Sequence, residues 1–166
     1  DEDLLLHVVR TCRSSAQQDR FLDLLPLRPG RSVTLTRLAT LFDWGREEAR
    51  RLTGRALAVH MATSGTLGYT DLDGDEIHIS PLPVLQREQR AEQVVQGLIL
   101  HEVGHHLHHG GKENLKVWDK ARKEGLGEVL NLVADEHLER RMRARNQDHG
   151  DALKALDAYA FQHMEP

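Results

Sequence analysis

Apolar positions divide the chain into two unlike halves near residue 62. In the first half, Phe21-Leu22-Asp23-Leu24-Leu25 closes a polar helical run that Pro26 and Pro29-Gly30 stop. From Thr34 to Phe42, Leu35, Leu38, Ala39 and Phe42 recur at three- and four-residue steps, and Ala49, Leu52 and Ala56 do the same beyond Arg46. This spacing predicts two short helices with Asp43-Trp44-Gly45 as a tight connector, a helix-turn-helix pattern. In the second half, Gly65 to Thr70 and Glu76-Ile77-His78-Ile79-Ser80 flank the turn-forming run Asp71-Leu72-Asp73-Gly74-Asp75, which predicts a β-hairpin. Helical periodicity returns from Glu88 to about His109, where Gly110-Gly111 stops it. Further helices are expected from about Gly125 to Arg145 and from Asp151 to Phe161. The expected architecture is α+β: a helical subdomain over residues 1–62, then a mainly helical domain over residues 63–166 whose hairpin precedes its central helix.

Composition narrows the classes of function. Of 166 residues, 39% are hydrophobic and 29% charged, the balance of a chain that folds around a core. A formal charge of −4 argues against the whole molecule being a binder of nucleic acid or anionic membrane, since both need a strong positive field. The single cysteine, Cys12, excludes an internal disulfide framework and a thiolate-only metal site, and fits a reducing cytoplasm, the expected location. No apolar run approaches the roughly 20 residues that span a bilayer. Residue 1 is Asp rather than Met. A domain of a larger protein is therefore expected, with its other domains or a regulatory protein as partners.

On the central helix stands His101-Glu102-Val103-Gly104-His105, an HExxH motif. Four residues make about one helical turn, so both imidazoles leave one face and can converge on a cation at about 2.0–2.1 Å, with the glutamate beside them. At 100° per residue, His101, Glu102 and His105 share the sector of Ala91, Val94, Val95 and Leu98, which turns polar groups inward. Unpaired, such burial costs on the order of several kcal/mol, and a bound cation offsets it. Gly104 lets another backbone come close.

A catalytic zinc takes three protein ligands, so a third donor is expected from a later element. Val129, Leu132 and Val133 define an apolar stripe on the next helical segment, and Glu136 lies between the directions of Leu132 and Val133. Glu136 is the first choice, Asp135 the alternative, and His137 a more distant third. Whichever carboxylate is not a ligand, or Glu139, is expected to orient a ligating imidazole. His106, His108 and His109 are read as solvent-facing or capping residues rather than a second metal site.

The run Leu98 to His109 resembles the active-site helix of zincin metallopeptidases, and Gly74-Asp75-Glu76-Ile77-His78-Ile79-Ser80 sits where zincins place an edge strand. The order of strand, linker, HExxH helix and acidic helix, over residues 65 to about 145, is similar to minimal gluzincins and to ImmA/IrrE-type peptidases. Asn131-Leu132-Val133-Ala134-Asp135 is somewhat similar to the acidic segment of predicted peptidases associated with von Willebrand factor A domains. The resemblance implies a zinc-dependent peptidase with His101 and His105 as ligands, Glu102 as catalytic base and a protein or peptide substrate. The Asn-Glu pair of thermolysin-like enzymes, the ImmA/IrrE signature and the metzincin extension are not reproduced. The oxyanion stabiliser is not identified by sequence, with Tyr159 and His149 as candidates.

Two rival functions arise. Residues 31–55 hold six arginines, Arg31, Arg37, Arg46, Arg50, Arg51 and Arg55, against three acids, so a winged-helix regulator could engage nucleic acid there. The blander alternative makes Leu35, Leu38, Phe42, Trp44, Ala49 and Leu52 core and the arginines a solvated face. The second rival is a catalytically silent zincin scaffold for protein–protein interaction.

Overall fold

The computed structural model describes residues 33–62 and 65–164; the expected helix ending at Leu25, Cys12 and Arg31 lie outside them. Helix α1 (Val33–Thr53) leads to strand β1 (Ala58–Met61), β2 (Gly68–Asp71) and β3 (Glu76–Ile79). Five helices follow: α2 (Leu82–Leu85), α3 (Ala91–His109), α4 (Lys112–Lys123), α5 (Gly127–Arg143) and α6 (Gln147–Met164). The architecture is α+β, mostly helical with one small sheet. No described helix is long and apolar enough to cross a membrane.

The sheet order is β1-β3-β2, with β1 parallel and β2 antiparallel to the central β3. The expected hairpin is present as β2–β3, with Gly68 opposite Ile79 and Asp71 opposite Glu76. Strand β1 has no counterpart in the sequence reading. The expected division at residue 62 falls between two strands of this sheet, and Leu38, Leu41, Ala49 and Val59 share one buried cluster with Ile77, Ile99 and Leu153. Among the described residues the two halves therefore have a common core.

The helix-turn-helix expectation is corrected. Helix α1 runs unbroken through Asp43-Trp44-Gly45. Glycine inside a helix costs about 1 kcal/mol relative to Ala, but here it serves packing: a Cβ on Gly45 would lie 2.9 Å from Ile99 Cδ1. Asp43 is held within the same helix by Arg46 at 2.5 Å. The helix ends at Thr53, before Ala56, and Gly54 at φ +72° closes it with its N–H on Arg50 O.

Helix α3 is the axis of the molecule. Ala91, Val94, Val95 and Leu98 are buried, and so are Ile99, Leu100 and Val103 on its other sides, as befits a helix covered all round. It packs on α1, α5, α6 and the sheet. Two glycines set its close approaches. A Cβ on Gly97 would sit 2.4 Å from Ala152 O in α6, and one on Gly104 would sit 2.9 Å from Leu138 Cδ1 in α5. Another backbone is expected against Gly104; what lies there instead is the side chain of Leu138, with Met142 beyond it.

Gly97→Ala tests this packing. In an open helix the change would gain about 1 kcal/mol; against the Ala152 carbonyl it is expected to cost about 1–3 kcal/mol instead, read as a lowered urea midpoint.

Candidate metal centre

Leu138 rests on Gly104, inside the HExxH motif, and one turn before Leu138 on α5 stands the residue delivered to the histidine pair, Asp135. One ligand atom each from His101, His105 and Asp135 lies within 4.8 Å of the others. Asp135 Oδ1 is 3.1 Å from His105 Nε2 and 3.5 Å from His101 Nε2. Glu136, the first choice from sequence, is corrected: it is exposed and bonded to Arg140 at 2.8 Å. The apolar stripe that pointed to it faces outward, with Val129, Leu132 and Val133 exposed at 59%, 71% and 60%. The buried stripe of α5 is Ala134, Leu138 and Met142, and Asp135 and Glu139 flank it. His137 is exposed and reaches His109 rather than the cluster.

The donor set fits a divalent cation. Asp135 Oδ1 is buried between the two imidazoles yet has no well-aligned hydrogen-bond partner, and His101 Nδ1 is buried in the same state. Two imidazoles and a carboxylate suit zinc, with a fourth position open to the cleft. An aspartate in third place departs from the gluzincin pattern. Neighbours restrain the ligands. Asn131 Nδ2 donates to Asp135 Oδ2 at 2.9 Å, which leaves Oδ1 for the centre. Glu139 Oε1 lies 3.3 Å from His101 Nδ1, the orienting position anticipated for it, and Arg143 ties its other oxygen at 2.5 Å and Asp157 at 2.8 Å.

Electrostatics in the metal-free protein follow from this crowding. Burial opposes charge on His101, but Asp135 and Glu139 outweigh it and raise the group to about 10. Asp135 is held far below the usual carboxylate range, since His101 and His105 outweigh its burial. Burial pushes Glu102 up to about 7, with His101 pulling it down and Asp135 adding to the rise. A cation at the cluster would favour the charged carboxylate.

Glu102 is 6% exposed and faces β2. There the structure adds a residue that sequence reasoning missed: a Cβ on Gly68 would come 2.7 Å from Glu102 Oε1 and 3.2 Å from His78 O. A glycine interrupting a strand pattern is the available signal for such an approach. The cluster opens into a cleft of about 340 Å³ bordered by β2 and by Leu115, Trp118, Asp119 and Arg122 of α4. His149 and Tyr159, the oxyanion candidates, do not line it. His149 is instead bonded to Glu48 at 2.8 Å, and the Tyr159 ring lies tilted against His163.

The remaining histidines also depart from expectation. His106 is buried, receiving Arg55 Nη1 at 3.4 Å on Nδ1 and meeting Thr70 Oγ1 at 2.5 Å through Nε2, which braces the hairpin against α3. His109 is not a cap: its ring stands between His105 and His137. Burial, with His105, His137 and His108 nearby, pushes it down to about 4. His108 is half-buried beside His137.

No family model, curated protein or solved structure matches the chain.

The charge balance gives a pH signature for the metal-free protein. A histidine whose folded pKa exceeds its unfolded value stabilises fully below about 6.5. That stabilisation is lost as pH rises towards 10. Glu102, raised from 4.5 to about 7, acts in the same direction between those values. Thermal unfolding in chelator should therefore show stability falling between pH 6.5 and 10, with a shallower fall in Asp135→Asn.

Proposed function

We propose that this chain is a zinc-dependent peptidase of zincin type. The reading is carried by one observation: an HExxH pair and Asp135 offer converging donors, with a buried glutamate beside them, at the floor of a cleft edged by a β-strand. His101, His105 and Asp135 would hold the metal. When bound, zinc supplies a Lewis acid that polarises a scissile carbonyl and makes water more acidic.

The chain's own groups do the rest. Glu102, confined by Gly68, takes a proton from the attacking water and passes it to the leaving amine. The strand ending at Ser80, expected as the edge strand that aligns substrate, is β3 and lies in the middle of the sheet, so β2, at an edge, aligns an extended segment of protein substrate by main-chain hydrogen bonds. Across the cleft, Leu115 and Trp118 offer apolar contact, and Asp119 and Arg122 offer charge, to the side chains of that segment. The silent scaffold differs only in lacking turnover. The winged-helix reading loses its support, because α1 is one helix and Arg37, Arg46, Arg51 and Arg55 are paired with Glu92, Asp43, Glu48 and Asp75.

The test combines metal analysis with cleavage of a protein mixture. Glu102→Gln should keep one zinc per chain and lose about 10²–10⁴-fold in cleavage rate. Asp135→Ala should lose zinc, while Glu136→Ala should keep both zinc and activity. Zinc bound without cleavage by the unaltered chain would identify the scaffold.

A further inference from the structure

Carboxylates dominate the lining of the cleft. Asp71 and Asp73 border it from the hairpin, Asp119 from α4, and Glu102 and Asp135 from α3 and α5. Arg122 is the one lysine or arginine among the described residues that line it, and it lies 3.7 Å from Asp119. A divalent cation at the centre offsets only two charges, so the walls stay negative with the site loaded. Two groups of acids are left open. Glu102, 6% exposed at the cleft floor, has no hydrogen-bond or ion-pair partner among the described residues. In the hairpin turn, Arg55 neutralises Asp75, but no described lysine or arginine pairs with Asp71 or Asp73.

The hairpin fixes where these two acids stand. The Asp73 N–H donates to Asp71 Oδ1 at 3.0 Å, which keeps both residues at one end of β2. Gly68, at the other end, is the residue that closes on Glu102. Three residues of strand separate Gly68 from Asp71, about 10 Å. A segment laid along β2 with its scissile bond beside Glu102 therefore carries a side chain about three residues away to Asp71 and Asp73. The Trp118 ring borders the same cleft from α4 and suits the aliphatic stem or the charge of a basic side chain.

We propose that Asp71 and Asp73 select a substrate segment that carries lysine or arginine about three residues from the bond to be cut. The proposal rests on the peptidase reading and names the substrate class of that cleft. A basic side chain there meets two carboxylates that the fold leaves without a counter-charge. A glutamate in the same place meets like charges and is rejected. Both acids are exposed, so salt screens the preference. Asp71 and Asp73 determine specificity and stand apart from the reacting atoms.

The experiment uses two fluorescent peptide pools of equal length, alike except that one carries lysine where the other carries glutamate. Each is bound to the zinc-loaded Glu102→Gln chain and followed by anisotropy. The lysine pool should bind about tenfold more tightly at low ionic strength, the effect of two or three exposed ion pairs together. That advantage should shrink in about 0.5 M salt. Asp71→Asn combined with Asp73→Asn should keep one zinc per chain and bring the pools within about threefold of each other. Glu47→Gln combined with Asp148→Asn removes the same charge at residues that do not line the cleft, and should leave the preference intact. Zinc uptake with equal binding of the two pools, or a preference that survives the change at Asp71 and Asp73, would overturn the selection and leave the metal centre standing. No zinc uptake by the unaltered chain would overturn the metal-centre reading, and the selection with it.

Discussion

The crossing of α3 and α5 is the constraint on which the site depends. Gly104 has no side chain to hold Leu138 away, so the two helices approach until Asp135 reaches both histidines of the HExxH pair. A larger residue at 104 would widen a contact in which the three donors are only a few ångströms apart. The same kind of economy operates at Gly68, where β2 closes on Glu102 because no Cβ intervenes. Two glycines, one on the floor of the cleft and one on its wall, bring backbone and ionisable groups close enough to interact strongly in a partly dry space.

Such proximity is unfavourable unless the charges balance. Among the described residues, Asp135 and Glu139 bring two negative charges to His101, and Glu102 adds a third when ionised. Arg143 neutralises part of this from behind Glu139, where it also holds Asp157. What remains is negative and directed at the cleft, and in the metal-free protein a proton on His101 answers it. A divalent cation answers it better, because it supplies two charges where two imidazoles and a carboxylate oxygen converge.

The parts legible in the sequence were those fixed by local spacing. HExxH places two imidazoles on one helical face whatever surrounds it, and a turn-rich run between two β-branched segments makes a hairpin. What was not legible depended on distant partners. Ala58–Met61 is too short to declare itself as a strand and exists through β3. Gly45 reads as a connector until Ile99 is seen against it. Helix α4 has no fully buried residue, so its pattern carries little core signal. That Asp135 rather than Glu136 lies by the histidine pair was hidden for a related reason: Val129, Leu132 and Val133 form a good apolar stripe, but they are exposed, and the buried positions are Ala134, Leu138 and Met142.

The two histidines of the motif also differ in how firmly their surroundings define them. His101 is backed by a carboxylate, with Glu139 Oε1 3.3 Å from its Nδ1. His105 is backed by another imidazole, with His109 Nδ1 3.2 Å from its Nδ1. One histidine is thus set against a carboxylate and the other against a second ring, although both come from the same motif on the same helix. The difference arises from what stands one turn further on: Glu139 from α5 beside the first, and His109 from α3 itself beside the second. A four-residue repeat of histidine, 101, 105 and 109, therefore does two jobs along a single face, with the first two positions turned to the cleft and the third linking it to the surface through His137.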